Sequence, residues 1–290
     1  MCKKSYRDQY YNAKGGCVEL KLSSWKEFVD YIYFTDLDHS QYIWRGQRCE
    51  NWPLKSARDR ALDGINSGRD NGQRLRVPSL NDFKLAVRGR RGVNPPRIDT
   101  DNDWWALGQH YGLITPLLDW TESPFVAAYF AFIEQGEEQT DYRAIYALHV
   151  STLEAYAKVA KWRAKSEALL QKYDDKNEND PIDLLIKGKR TQGINGFEYV
   201  RPLLDENLRL VNQSGCFTKV PEGVSVEELV REKFKGCDGE EFLIKILIPD
   251  TERDNGLRML NRMNINHSTL FPDISGASQY LNVYAKIDRY

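Results

Sequence analysis

The segment that begins at Ser123 restricts the fold of this chain more than any other part of the sequence. Ser123-Pro124 precedes the alanine-rich sequence FVAAYFAF, and the apolar run YRAIYALHV follows at residues 142–150. Serine at an N-cap with proline in the first turn is a typical helix start, and alanines allow another element to pack closely on the helix. The segment therefore predicts a closely packed helix that ends at Gly136, followed by a buried strand at 142–150.

Capped helices and short apolar strands alternate along the rest of the chain. Ser24 with Glu27 predicts a helix at 25–34, and the β-prone Tyr42-Ile43-Trp44 predicts a strand that Arg45-Gly46 closes. Similar patterns predict helices at 79–91, from Asp101 to Gly112, at 151–173, after Ser225, near 250–263 and at 273–287, and strands around 207–211 and at 241–248. The spacing is not strictly βαβ, so it favours an α+β fold, with a mixed central sheet of short strands flanked by capped helices.

Two polar segments interrupt this pattern. Residues 63–77 are rich in Gly, Asn, Asp and Arg and predict a mobile loop. The acidic segment 172–181 predicts a solvated connection at a lobe boundary or an insertion. The length allows either two unequal lobes or one domain, and we expect a single domain of residues 1–290 with a helical insertion around 151–195.

Composition limits the classes of partner. The 41 Lys and Arg balance the 42 Asp and Glu, so the whole molecule attracts neither nucleic acid nor an anionic membrane, and such a partner would need a local patch. The five cysteines are scattered without a C-x-x-C pair, which indicates neither a zinc cage nor a disulfide framework and favours a reducing, cytoplasmic location. We find no apolar stretch near the ~18 residues that a membrane span needs.

Three polar clusters are candidates for chemistry. The first is Arg45-Gly46-Gln47, in which the arginine offers a planar fork for phosphate and the glycine would let a ligand approach the backbone. The other two are Gln109-His110-Tyr111 with Asp119 and Thr121, on a predicted loop between two helices, and Arg209 with Gln213, on a predicted strand before a glycine turn. Each cluster also has a structural explanation: an ion pair in the core for the arginine, a helix end for His110, and turn or capping roles for Asp119 and Thr121.

Common catalytic motifs are missing from the sequence. It contains no GxxxxGK[ST], no strand-linked GxGxxG, no HExxH and no GxSxG. Phosphoryl transfer of the P-loop type and the usual serine hydrolases are therefore excluded.

Taken together, several sequence stretches resemble the FRG domain family, which is named for a Phe-Arg-Gly signature. They are WRGQ at 44–47, QHYGLITPLLDWTESPFVAAYFA at 109–131, R-x-x-x-Q-x-G-x-F at 209–217 and LFPDISG at 270–276. Trp44 replaces the signature phenylalanine, and Pro116 stands where that family commonly has arginine. The similarity extends over about residues 24 to 280.

The order of these motifs more distantly resembles ADP-ribosyltransferase toxins of the Arg-Ser-Glu type, which implies an ADP-ribosyltransferase-like fold and NAD as substrate. The resemblance implies that Arg45 holds the NAD phosphates. Gly46, Gln47, Gln109, Tyr111, Thr121 and Arg209 would complete the NAD site, and His110, Asp119 and Gln213 would surround the reacting carbon. In that family a glutamate steadies the oxocarbenium-like transition state, and here either Gln213, Glu198 or Glu206 could stand in its place.

Three functions remain open at this stage. The first is a bacterial toxin or phage-defence effector that transfers ADP-ribose to nucleic acid or protein, with an antitoxin protein as partner and with Arg88, Arg90, Arg91 and Arg97 steering an RNA or DNA acceptor. The second is a non-catalytic module that senses a nucleotide or binds nucleic acid. The third is a nuclease with Asp119, His110 and Asp273 as metal ligands, although it lacks the closely spaced carboxylates of two-metal sites, and we expect no metal.

Overall fold

A computed structural model describes residues 15–35, 39–66, 77–136, 139–170, 196–202, 208–237 and 240–290. Its centre is a seven-stranded sheet in the order β1-β7-β4-β2-β3-β6-β5. The strands are β1 Cys17–Lys21, β2 Tyr42–Gln47, β3 Leu118–Thr121, β4 Tyr142–His149, β5 Glu198–Val200, β6 Gly215–Lys219 and β7 Leu243–Pro249. β1 and β7 are parallel and the other pairs are antiparallel, which confirms the predicted α+β fold with a mixed sheet.

Helices surround the sheet, and serine caps begin several of them. They are α1 Trp25–Phe34, α2 Ala57–Asn66, α3 Leu80–Ala86, α4 Asp101–His110, α5 Pro124–Ile133, α6 Val150–Leu170, α7 Leu208–Asn212, α8 Val226–Lys233, α9 Arg253–Arg262, α10 His267–Leu270 and α11 Ile274–Tyr284. The hydroxyls of Ser24, Ser123 and Ser225 accept hydrogen bonds from the first turns of α1, α5 and α8. The three helix starts that the sequence marks with serine are thus confirmed.

The two faces of the sheet bury separate hydrophobic cores. Successive side chains of a strand point to opposite faces, so the buried Trp44 packs with Phe28 of α1 and Phe132 of α5, whereas Ile43 packs on the other face with Leu153 of α6 and Val230 of α8. Both faces of β2 are therefore covered by packed helices.

Three predictions of local structure are wrong. Residues 208–212 form helix α7 and not a strand, because the β-prone residues just after it, Gly215–Lys219, pair with β3 and β5. The loop predicted between two helices contains strand β3. Thr100 and not Asp101 caps α4, by accepting a hydrogen bond from the backbone N–H of Asp103.

Several other predicted helices and strands end a few residues away from their predicted bounds, and two predicted segments lie partly outside the described residues. Arg45-Gly46 continues β2 instead of closing it, α3 stops at Ala86, and α5 stops at Ile133 before Gly136. Residues 67–76 of the predicted loop and 171–195 of the predicted insertion are outside the description, so the domain organisation stays a prediction. None of the described helices combines the length and hydrophobicity that crossing a bilayer requires.

Candidate functional site

A cleft of about 400 Å³ opens where the sheet is divided between β2 and β3. β2 pairs with β4 from Tyr42 to Gln47, and all of β3 pairs with β6. Between β2 and β3 themselves, one pair, Trp44 with Thr121, is in register. Beyond this pair the two strands separate, and side chains of both halves of the sheet reach a space of the size that small-molecule sites have.

Arg45 bridges the gap between the separated strands. Its Nη1 donates to the backbone oxygen of Asp119 at 2.8 Å and lies 3.8 Å from the Asp119 carboxylate. The Arg45 side chain is 18% exposed, and its Nε is buried without a hydrogen-bond partner among the described residues. Burial lowers the pKa of the guanidinium, and the charge of Asp119 partly opposes this shift.

This environment does not fit an arginine that serves the core. Its partner Asp119 is 61% exposed, so the guanidinium is not locked to an interior acid. A largely buried cation with an unsatisfied donor costs stability unless something pairs with it. The unused hydrogen-bonding capacity of Arg45 is therefore a reason to look for an anionic ligand in the cleft.

Gln109 fixes the carboxylate that faces Arg45. Its Nε2 donates to Oδ1 of Asp119 at 2.6 Å, and its Oε1 accepts a hydrogen bond from the hydroxyl of Thr115. Thr115 is fully buried, so this chain of hydrogen bonds orients the Gln109 amide from inside the protein. A carboxylate held in this way can accept bonds from a ligand hydroxyl without first reorganising.

His110 lines the same cleft at the end of α4. Burial lowers its pKa, the nearby Arg209 lowers it further, and Asp273 opposes the shift. The imidazole is thus neutral at neutral pH and can accept a proton. Tyr111, predicted to bind NAD, is 75% exposed and does not line the cleft, although its ring lies edge-on to His110 at 4.8 Å.

The charge pair beside His110 gives a test of this description by NMR titration. We expect the His110 pKa to lie below the ordinary value of 6.5, to rise in Arg209→Ala and to fall in Asp273→Asn. Folding lowers the His110 pKa, so the folded state favours the neutral ring. The resulting contribution to the free energy of unfolding is present above the ordinary pKa and is lost as the pH falls through the pKa of the folded state. A His110→Gln variant assigns the resonance. Shifts of the same sign in both charge variants would contradict the arrangement.

The third sequence cluster also reaches the cleft. The hydroxyl of Thr121 donates to the backbone oxygen of Gln213 at 2.6 Å and accepts from the N–H of Ser123 at 3.1 Å. The Gln213 side chain lines the cleft, and its Nε2 donates to the backbone oxygen of Leu270 at 3.1 Å. Thr121 therefore joins β3 to the segment after α7, while Gln213 joins that segment to α10.

Arg209 places a second guanidinium on the cleft wall. Its Nε lies 3.0 Å from Oδ2 of Asp273, and the guanidinium lies 5.5 Å from the centre of the Phe271 ring. Asp273 also caps α11 by accepting from the N–H of Gly276, and the bond from Arg209 is the main reason why its pKa is lowered. Two guanidiniums around one cleft suit a pyrophosphate, which carries more than one negative charge.

Gly46 and Gln47 do not have the environment expected of ligand-binding residues. A Cβ at residue 46 would lie 2.5 Å from the backbone nitrogen of Ala131 and closer still to the backbone oxygen of Ala127, so the glycine lets α5 pack against β2. Gln47 is buried away from the cleft, with its Nε2 3.4 Å from the backbone oxygen of Pro53. Gly46 still borders the cleft, but the space of its missing side chain belongs to α5.

The carboxylates of the cleft are not the ones that the sequence suggested as alternatives. Glu198 lies on β5, where it accepts from Asn102 at 2.8 Å and pairs with Lys219, and it does not line the cleft. Glu206 lies outside the described residues. Among the described residues, Asp119 and Glu134 are the acids that line the cleft.

Glu134 is the charged cleft residue that the sequence did not suggest. It is the C-cap of α5, and its side chain is exposed. One sequence signal was available: Glu134 directly follows the apolar sequence FVAAYFAFI, so it stands where a buried helix has to emerge at the surface.

The nuclease interpretation loses support from this geometry. Among the described residues, no group of three or more His, Cys, Asp or Glu is placed to hold a metal ion. Asp273, one of the three candidate ligands, is committed to Arg209 and to the cap of α11.

Comparison with known proteins gives one family model that matches part of the chain. Residues 40–140 match the model of the FRG domain, a range that includes β2, β3, α4 and α5 and therefore Arg45, Gln109, His110, Asp119 and Glu134. Neither the search of curated proteins nor the search of solved structures found a match.

Proposed function

The chain contains an FRG domain at residues 40–140, and from this premise we propose that it is an NAD-dependent ADP-ribosyltransferase. The observation that carries the proposal is the meeting of three distant segments around one cleft: Arg45, the 109–121 segment and the 209–213 segment all line it. The two guanidiniums can bind a pyrophosphate, the neutral imidazole can accept a proton, and the two carboxylates can stabilise positive charge, which together support transfer from a dinucleotide.

The proposed mechanism assigns each group by its surroundings. Arg45 and Arg209 bind the pyrophosphate through charge-assisted hydrogen bonds. Asp119, oriented by Gln109, accepts a bond from a ribose hydroxyl. The bond between the nicotinamide nitrogen and the ribose carbon breaks, nicotinamide leaves as a neutral molecule, and the positive charge that develops on the ribose is stabilised by the carboxylates of Asp119 and Glu134.

The remaining step completes the transfer to an acceptor. The nucleophilic atom of the acceptor, in nucleic acid or in protein, forms a bond to the ribose carbon and loses a proton, which neutral His110 accepts. We assign Gln213 to the position at which the toxins that the chain resembles have a glutamate, and in this proposal the two cleft carboxylates replace that negative charge. Thr121 contributes by fixing the end of β3 through its bonds to Gln213 and Ser123.

The same proposal includes a biological setting. The resemblance to ADP-ribosyltransferase toxins supports a toxin or phage-defence effector that acts in the cytoplasm. A protein of this kind needs a neutralising partner such as an antitoxin.

The second candidate is a sensor that binds the dinucleotide without turnover. It is favoured by one observation, the glutamine at residue 213, because an amide supplies no negative charge to the transition state. Loss of such a group typically costs several kcal/mol of transition-state stabilisation, which is enough to separate an enzyme from a binder.

Incubation with NAD distinguishes the two candidates. We expect the protein to release nicotinamide, which chromatography measures. We also expect it to transfer label from adenine-labelled NAD to an acceptor fraction. Asp119→Asn and Glu134→Gln remove one charge each without changing shape, and each should slow release by about 10²–10³-fold while retaining saturable NAD binding. Saturable binding without release by the unaltered protein would instead establish the sensor.

A further inference from the structure

Residues 87–97 form an exposed segment, here called the basic loop, that the proposed reaction does not explain. It contains Arg88, Arg90, Arg91 and Arg97, and it contains no Asp or Glu. The whole chain carries a formal charge of -1, so this concentration of positive charge is local. Anchoring to phosphates needs only such a local patch.

Apart from Arg91, much of the basic loop is not packed against the rest of the protein. Val93 is 96% exposed, and a side chain at Gly89 or Gly92 would meet no atom within 4 Å. Both glycines have positive φ, so they turn the chain in open space. A segment of this kind is shaped for contact with something other than the core.

The acids around the basic loop already have partners. Asp82 accepts from Ser79 at the start of α3, Asp99 pairs with Arg97, Asp101 pairs with Lys84, and Asp103 accepts from the hydroxyl of Thr100. No ion pair is formed by Arg88, Arg90 or Arg91 within the part of the chain that the structure describes. Nearby acids therefore do not neutralise these three arginines.

One of the three arginines is held in place for contact. Nη2 of Arg91 donates to the backbone oxygen of Pro96 at 2.7 Å, and its guanidinium lies 5.3 Å from the centre of the Trp104 ring. A guanidinium that is fixed before binding loses less side-chain entropy when it meets a phosphate.

The basic loop is also connected to the candidate site. It follows α3, and the Phe83 ring of α3 reaches 3.3 Å from the position of a Cβ at Gly108 of α4. The next two residues of α4 are Gln109 and His110, which line the cleft. A polymer bound along the loop therefore lies beside the helix that carries the proposed proton acceptor.

We propose that the basic loop binds the sugar–phosphate backbone of a single-stranded nucleic acid. Planar guanidiniums can contact phosphates and can also stack on unpaired bases, which a duplex does not expose. If the proposed transferase function holds, this strand is the acceptor of ADP-ribose.

The test measures binding by fluorescence anisotropy with a short labelled RNA of mixed sequence, and with DNA of the same sequence as a single strand and as a duplex. The double variant Arg88→Ala/Arg90→Ala is compared with Arg262→Ala/Arg289→Ala, which removes the same charge from exposed positions near the C-terminus. We expect the first pair to lose about tenfold or more in affinity and to reduce the slope of log affinity against log salt by about 0.7 per lost phosphate contact, whereas the second pair should change little.

Several outcomes would overturn the proposal: equal losses in the two double variants, no binding of single strands by the unaltered protein at low salt, or tighter binding of the duplex. Release of nicotinamide without acceptor is measured in parallel and should be unchanged in Arg88→Ala/Arg90→Ala. Failure of that release with intact strand binding removes the transferase and keeps the nucleic-acid site. Intact release of nicotinamide without strand binding keeps the transferase and removes the nucleic-acid site.

Discussion

Replacement of Arg45 by alanine is expected to weaken NAD binding by at least about 100-fold. Hydrogen bonds to charged groups contribute about 1.5–3 kcal/mol each, so under the proposed role, in which the guanidinium contacts the pyrophosphate twice, its loss costs about 3 kcal/mol or more. Calorimetric titration with NAD measures the loss. If the protein is a toxin, cells that express the variant should also escape the growth arrest caused by the unaltered chain.

The same substitution should leave the folded state nearly as stable as before. The guanidinium is largely removed from water, its Nε has no partner among the described residues, and burial lowers its pKa. Loss of its bond to the Asp119 backbone oxygen is therefore offset by release of a poorly solvated charge. We expect Arg45→Met, which keeps much of the volume, to unfold at the same temperature as the unaltered protein or above it.

Two further variants make this prediction specific. Arg45→Lys keeps the charge without the planar fork, so an intermediate affinity would indicate that the ligand is held by two parallel bonds. Arg289→Ala removes an exposed arginine and should affect neither binding nor stability. A fall in Tm of roughly 10 °C for Arg45→Met, which corresponds to about 3 kcal/mol, would mean that Arg45 is structural and would remove the central residue of the proposed site.

Much of the fold follows from local signals in the sequence. Ser24, Ser123 and Ser225 mark helix starts through a hydroxyl that accepts a backbone N–H, and this chemistry acts within one turn. The apolar run at β4 is buried on both faces, so its identity as a strand also follows from composition. These are the elements in which local preference and tertiary structure agree.

The elements that the sequence could not predict depend on distant partners. Leu208–Asn212 has apolar residues that suit a strand, yet β3 pairs instead with the following Gly215–Lys219, which leaves the earlier residues to form a single helical turn. β3 itself is four residues long and is stabilised by its ladder with β6, not by any strong preference of its own. Pairing between distant strands has no local signature.

The candidate site shows the same division. Arg45, Gln109, Asp119 and Gln213 belong to the three polar clusters of the sequence, and they line one cleft. Gln47 and Tyr111 looked equivalent in sequence, but Gln47 is buried with its amide near the backbone oxygen of Pro53, and Tyr111 is exposed just after the end of α4. Glu134 lies in the cleft because α5 packs on β2; the alanines of the sequence predict close packing of this helix but not the strand on which it packs.

That packing depends on Gly46, and its replacement by alanine is expected to have the largest effect on stability. A Cβ there would lie 2.5 Å from the Ala131 backbone nitrogen and 2.9 Å from the Ala127 backbone carbon. Because these are backbone atoms, no change of rotamer can relieve the overlap, and α5 would have to move off the sheet. α5 carries the fully buried Tyr129 and Phe132, so we expect a loss of at least about 3 kcal/mol, measured as a lower denaturant midpoint.

Gly64→Ala is the matched control for this prediction. Gly64 lies in α2, and a Cβ there would meet no atom within 4 Å, so alanine should be neutral or should stabilise the protein by up to about 1 kcal/mol. The comparison also decides between two explanations of the glycine. If Gly46→Ala folds with an unchanged midpoint but fails to bind NAD, the glycine serves the approach of a ligand. If it lowers the midpoint as expected, Gly46 sets the distance between β2 and α5 and thereby holds Arg45 and Glu134 on one cleft.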